Sequence, residues 1–228
     1  MFDGTLGDWD IEPVNLELKP GYKPFNSKYY PAPRNNKETL RKELRRLVKI
    51  RVLILVQQSQ YGTPIFITPK KEGTVRFITY YRRLNQILVR KPHPLPRRGD
   101  TTQLLKVFQY VTTLDLSMGY YTIRLPPTSQ DMATIVTEFG KFRYNRLPIG
   151  RCASGDIFQA KVYELLGDIE GVKTYIVDIL VLGKDRFENH IDQLKMIFGR
   201  LRAAGLKDNA PKCIFRLKEI PYLGYVIT

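Results

Sequence analysis

Apolar positions along the chain follow two periodicities, and the switches between them predict its elements. Residues 1–34 carry proline and glycine in KPGYKPF and YYPAPR and read as an extended N-terminal arm. From Asn35, with Glu38 three positions on in a capping-box pattern, Leu40, Leu44, Leu47 and Val48 fall on one helical face. The opposite face carries Arg41, Lys42, Arg45, Arg46 and Lys49. PIFITPKKEGTVRFIT is two β-branched runs joined at KKEG, a hairpin. RKPHPLPRRGD, with three prolines, predicts an irregular connection and a subdomain boundary.

From Tyr110 the alternation strengthens. YVTTLDL predicts a strand and YYTIRL an extended continuation. ATIVTEFGKFRYNRLP predicts a hairpin turning at Phe139–Gly140–Lys141. SGDIFQAKVYELLG returns to helical spacing, with Ser154 as its N-cap. VKTYIVDILVLG predicts a hairpin with its turn near Val177–Asp178. An amphipathic helix over Arg186–Ala204 stops at Gly205, and KCIF and YLGYVIT end the chain as strands. Hairpins and strands mixed with three helix-length segments make the class α+β, an antiparallel sheet packed on helices.

Composition narrows the function. The 228 residues carry 37 Lys and Arg against 22 Asp and Glu, a net charge of +15, which favours polyanions through phosphate contacts. A basic surface without a specific partner has the same signature. Tyrosines interleaved with cations (Tyr29, Tyr30, Tyr80, Tyr81, Tyr120, Tyr121, Tyr144) suit base stacking, and they also suit a core. Two cysteines and two histidines argue against a disulfide scaffold, a CxxC zinc cluster or a histidine-rich metal site. The acidic start MFDGTLGDWDIEP is unlike a signal peptide, and no apolar run reaches membrane-spanning length. No membrane partner is expected, and the location is expected to be intracellular, cytoplasmic or nuclear.

Asp115 and Asp178 each interrupt an apolar run, where a lone carboxylate is costly unless it is paired, metal-bound or at an open strand end. On adjacent strands of one sheet they could hold a divalent cation through hard oxygen ligands. They could equally end their strands or pair with arginine.

LDLSMGYYTIRL, TEFGKFRYNRLPIG, the FQ of DIFQ, YIVDIL, the KC of APKC and YLGYVIT together resemble, in order and spacing, a reverse transcriptase, specifically that of Gypsy-type LTR retrotransposons. The resemblance covers nearly the whole chain, from the proline-rich entry through PKKEGTVRFITYYRRLN. It implies fingers over residues 35–110, a palm over 111–228 with a return to the fingers near 130–150, and no thumb, connection or RNase H region. It implies RNA-directed DNA synthesis with Mg2+ or Mn2+ on a primed RNA or DNA template, with dNTP as substrate and the rest of a retroelement polyprotein as a partner.

Residue by residue, the resemblance makes Asp115 and Asp178 catalytic metal ligands and Tyr120 a steric gate, with the backbone from Leu116 under the triphosphate. Lys70, Lys71 and Arg76 match phosphate-gripping residues. Pro148, Gly150 and Gln159 match the segment shaping the nucleotide pocket, and Leu223–Gly224 matches the primer grip. YIVD departs from the family's Tyr-x-Asp-Asp, because Val177 stands where the first aspartate belongs and offers no oxygen. Tyr80, Arg51 and Arg151 also depart from the pattern, Arg51 at a helix stop that favours glycine. The resemblance therefore implies a polymerase that is inactive or strongly impaired. The alternatives are a polymerase-shaped binding module without chemistry and the product of a pseudogene.

Overall fold

The computed structural model describes residues 2–69, 75–94, 108–217, 220–222 and 225–227. They form two compact units. One comprises Ile11–Lys91 with Tyr120–Gly155, the other Met1–Asp10, Pro92–Gly119 and Asp156–Thr228.

In the first unit, α1 (Lys37–Lys49) buries Leu40, Leu44 and Leu47, the face set by its apolar spacing. The expected capping box does not form. Arg34–Asn36 makes a 3-10 turn, and Asn36 caps the helix without a side-chain hydrogen bond. Proline fixes that entry, because the Pro33 carbonyl accepts the Asn36 amide at 2.9 Å. At the other end Arg51 takes φ 59°. The Arg51 amide donates to Val48 and the Val52 amide to Leu47, a left-handed Schellman stop built without glycine.

Five strands follow in the order β1-β6-β5-β2-β3. They are β1 (Leu53–Val56), β2 (Thr63–Pro69), β3 (Val75–Thr79), β5 (Thr134–Thr137) and β6 (Gly140–Tyr144). Strands β2 and β3 pair antiparallel where the β-branched runs predict them, the expected KKEG turn lying outside the described residues, while β2 and β5 pair in parallel. Strand β1 and the short helix α2 (Arg82–Ile87) are additional to the sequence reading. The β5–β6 turn is Glu138–Phe139, one residue earlier than expected, because Thr137 pairs with Gly140. The Thr137 hydroxyl accepts the Phe139 amide at 3.1 Å and donates to the Gly140 carbonyl at 3.0 Å. A one-turn helix, α3 (Pro127–Gln130), precedes β5. The expected extended continuation over YYTIRL holds only in its second half: Gly119–Thr122 is a 3-10 turn, and Arg124 then bridges antiparallel to Arg146. Met118, just before the 3-10 turn, takes a left-handed φ of 50°.

The other unit is built on an antiparallel sheet in the order β7-β8-β4-β9. Its strands are β4 (Tyr110–Asp115), β7 (Val172–Tyr175), β8 (Asp178–Gly183) and β9 (Ile214–Leu217). Val111, Leu180 and Leu182 cluster on it with Phe108 and Tyr175. Helix α5 (Phe187–Ala203) buries Leu194, Ile197 and Leu201 and stops on Gly205 at φ 73°, as its spacing predicts. Strands β10 (Ile220–Tyr222) and β11 (Tyr225–Ile227) pair antiparallel.

Helix α4 (Cys152–Leu166) begins in one unit and ends in the other. It starts two residues before the expected cap. Ser154 lies inside its first turn and donates its hydroxyl to the Pro148 carbonyl at 2.7 Å. No described helix is long and apolar enough to cross a membrane.

Candidate active site

The pairing of β4 with β8 ends on Asp115 opposite Asp178. Directly opposed residues project to the same face of a sheet, so the fold brings the two carboxylates together as cross-strand neighbours. The β7–β8 turn that delivers Asp178 has two central residues, Ile176 and Val177, between the paired Tyr175 and Asp178. Ile176 sits at φ 56°, a left-handed conformation that a β-branched side chain adopts at a cost.

Gln159 on α4 holds that turn in place. Its Oε1 accepts the Ile176 amide at 2.6 Å, and its Nε2 donates to the Thr174 carbonyl at 3.0 Å and to the Thr174 hydroxyl at 3.1 Å. The side chain is buried and its amide is committed to the turn. Val177 is half-buried, and its carbonyl accepts the Leu116 amide at 3.0 Å. A Cβ on Gly119 would meet Phe158 at 2.7 Å and the Val177 Cγ1 at 3.0 Å, so the Val177 side chain packs where only glycine fits.

The electrostatics are those of crowded carboxylates. Burial pushes the Asp178 carboxyl above its ordinary range, the charge of Asp115 pushes the same way, and Lys212 opposes both. Lys212 lies 3.5 Å from Asp115, but its side chain is 64% exposed and the pair is weak.

A third acid lies alongside, unanticipated by the sequence pattern. Leu116 bridges to Asp208, and the Asn209 amide donates to the Asp115 carbonyl at 2.8 Å. Asp208 is 2% exposed, and neither carboxylate oxygen has a hydrogen-bond partner among the described residues. Burial, reinforced by the charge of Asp115, raises its pKa to about 6.

As a metal site, Asp115 and Asp178 offer hard oxygens whose mutual repulsion a divalent cation would relieve. Val177 adds no side-chain oxygen, and its carbonyl is already engaged. Among the described residues no group of three His, Cys, Asp or Glu could hold a metal. The donors present do not fit a pair of divalent ions.

The remaining sequence-predicted residues divide as follows. Arg76 is exposed on β3. Tyr120 is half-buried in the 3-10 turn, with its hydroxyl 3.8 Å from where a Cβ on Gly155 would sit. Gly150 takes φ 96°, and its carbonyl accepts the Asn85 Nδ2 at 3.4 Å. These three belong to the unit of Ile11–Lys91 and Tyr120–Gly155, whereas Asp115, Leu116, Gln159, Val177 and Asp178 belong to the other. Lys70, Lys71, Leu223 and Gly224 lie outside the described residues.

Arg151 is 3% exposed, with its guanidinium 4.7 Å from the Tyr81 ring centroid. Its Nη2 donates to the Met132 carbonyl at 3.2 Å, while Nε and Nη1 have no partner among the described residues. Burial lowers its pKa. No local pattern marks either Arg151 or Asp208 as buried, because their surroundings come from distant segments.

Comparison with known proteins agrees with this architecture. The retrovirus-related Pol polyprotein from transposon opus of Drosophila melanogaster is 29% identical over 237 aligned positions, covering 100% of this chain and 23% of that polyprotein. The corresponding polyprotein from transposon 412 of the same organism is 30% identical, over 90% of this chain and 17% of its own length. The chain thus spans less than a quarter of these relatives. The solved foamy viral protease-reverse transcriptase in complex with RNA/DNA hybrid superimposes with a TM-score of 0.90 at 26% identity, over 99% of this chain and 30% of that one. The family model for reverse transcriptase (RNA-dependent DNA polymerase) matches residues 68–227. With most of its length matched to that family and its fold shared with the foamy viral enzyme, the chain belongs to the reverse transcriptases of retroelement polyproteins.

Proposed function

We propose that this reverse transcriptase domain binds a primed RNA or DNA template but is inactive or strongly impaired in two-metal nucleotidyl transfer. The observation carrying the reading is the turn at Val177, which leaves Asp115 and Asp178 as a pair where the chemistry calls for a third carboxylate. Losing such electrostatic stabilisation costs about 4 kcal/mol, roughly three orders of magnitude in rate. Asp115 and Asp178 would hold one Mg2+ or Mn2+ weakly. That ion, when bound, would supply charge neutralisation at a phosphate.

Ile11–Lys91 with Tyr120–Gly155 correspond in this reading to the fingers and the other unit to the palm. Arg76, with Lys70 and Lys71, grips dNTP phosphates, Tyr120 limits the sugar, and Gly150 and Gln159 shape the pocket, Gln159 by fixing the turn. Leu223 and Gly224 contact the primer. The net charge of +15 supports the template contact, and the foamy viral relative is bound to an RNA/DNA hybrid. The remainder of a retroelement polyprotein is the natural partner.

Calorimetric titration with Mn2+ tests the reading, with RNA/DNA hybrid affinity measured in parallel. The native chain is expected to bind Mn2+ at least tenfold more weakly than Val177→Asp, with the same salt-sensitive hybrid affinity in both. Equal Mn2+ affinity would overturn the assignment of Val177, and loss of hybrid binding in both would overturn template binding.

A further inference from the structure

A concavity lies within the unit of Ile11–Lys91 and Tyr120–Gly155, between the flank of α1 and the sheet edge at β1. It encloses about 530 Å³, a size ordinary for a small-molecule site. Its floor is Leu44 and Val48 of α1, Leu55 of β1, Phe142 of β6, and Phe139 of the β5–β6 turn. Leu55 and Phe142 are register partners, so they form one continuous apolar patch. Leu55 is 61% exposed, an unusual cost for an edge-strand leucine.

The rim has one sign of charge. Arg41, Arg45 and Lys49 recur every four residues along α1 and stand in a row on one side of the groove. Among the described residues, no acidic side chain lines it. Arg41 is held over the Phe139 ring at 4.7 Å and lies 3.5 Å from the exposed Glu38. Arg45 and Lys49 make no ion pair among the described residues and face the groove uncompensated.

The apolar floor carries two aromatic rings and no hydrogen-bonding side chain. It suits a ring system and has nothing to read the polar edge of a nucleobase. We propose that this groove is a binding site for an aromatic anion, its rings seated on Leu55, Phe139 and Phe142 and its acidic group held by Arg45 and Lys49. Its lining includes neither Asp115 nor Asp178, and the proposal does not depend on the state of the polymerase chemistry.

Fluorescence titration of the full chain with 1-anilinonaphthalene-8-sulfonate and its uncharged parent, N-phenyl-1-naphthylamine, tests this directly. One sulfonate dye per chain is expected, bound at least tenfold more tightly than the uncharged dye. The double variant Arg45→Glu with Lys49→Glu should remove that preference, and Leu55→Asp should abolish binding of both dyes. All three positions are exposed, and an unchanged melting temperature confirms that the variants fold. Should Leu55→Asp misfold, the double variant alone decides through the ratio of the two dye affinities. Equal affinity for the dyes in the native chain, or a charge preference that survives the double variant, would overturn the proposal.

Discussion

Replacing Asp208 with asparagine separates the cost of a buried carboxylate from everything else near Asp115. The side chain is 2% exposed and its oxygens lack partners among the described residues, so ionising it in the folded state is unfavourable. Its pKa rises from the ordinary 3.8 to about 6 on folding. Between those values the folded chain holds a proton that the unfolded chain has released, so stability falls as pH rises through the window and stays lowered above it. Two pH units correspond to about 3 kcal/mol.

Asparagine carries no titrating group, but its amide is also buried without a partner, at about 1–3 kcal/mol. The variant should therefore be less stable than or equal to the native chain near pH 4.5 and equal or more stable near pH 7.5. Urea denaturation of both chains at the two pH values measures this. Asp178 titrates in the same direction in both and cancels. A stability difference between the chains that does not change with pH would refute the burial argument, as would a native chain gaining on the variant as pH rises.

Other consequences follow from strained or unpaired groups. Arg51→Gly relieves a left-handed residue at the α1 stop and should stabilise the chain by about 1 kcal/mol in urea denaturation, whereas destabilisation would mean the arginine side chain supports the cap. Arg151→Met removes a buried guanidinium with two unpaired nitrogens and should raise the melting temperature, by about 1–4 kcal/mol of added stability; a fall would show that stacking on Tyr81 outweighs desolvation. Gln159→Ala strips three hydrogen bonds from the β7–β8 turn and should cost about 2–4 kcal/mol while speeding amide exchange at Ile176, and unchanged exchange there would refute its role as the turn's anchor.

Local pattern carried the paired β-branched strands, α1 and α5, because each rests on spacing within a short segment. The juxtaposition of Asp115 with Asp178, on strands distant in sequence, was implied by the resemblance to reverse transcriptases and left open by the pattern alone. Arg51 was legible too, since the residue after a helix stop must turn left-handed whatever its identity. Strand β1 was hidden because LILV follows that stop with no glycine or proline to separate it from α1. YYTIRL alternates like a strand, but its start is a 3-10 turn that follows the left-handed Met118. The burial of Arg151 and Asp208 and the grip of Gln159 on the β7–β8 turn were opaque for a different reason. Their hydrogen bonds and burial depend on segments far away in sequence, which no spacing rule contains.

Primer extension on a primed RNA template with Mg2+ or Mn2+, run on the native chain and on Val177→Asp side by side, tests the central claim most directly. Restoring a carboxylate beside Asp115 and Asp178 should raise the rate by roughly three orders of magnitude, with extension detected from the variant alone. Extension by the native chain at the variant's rate would mean that Asp115 and Asp178 suffice, and would contradict the reading of Val177 as the residue that silences this polymerase.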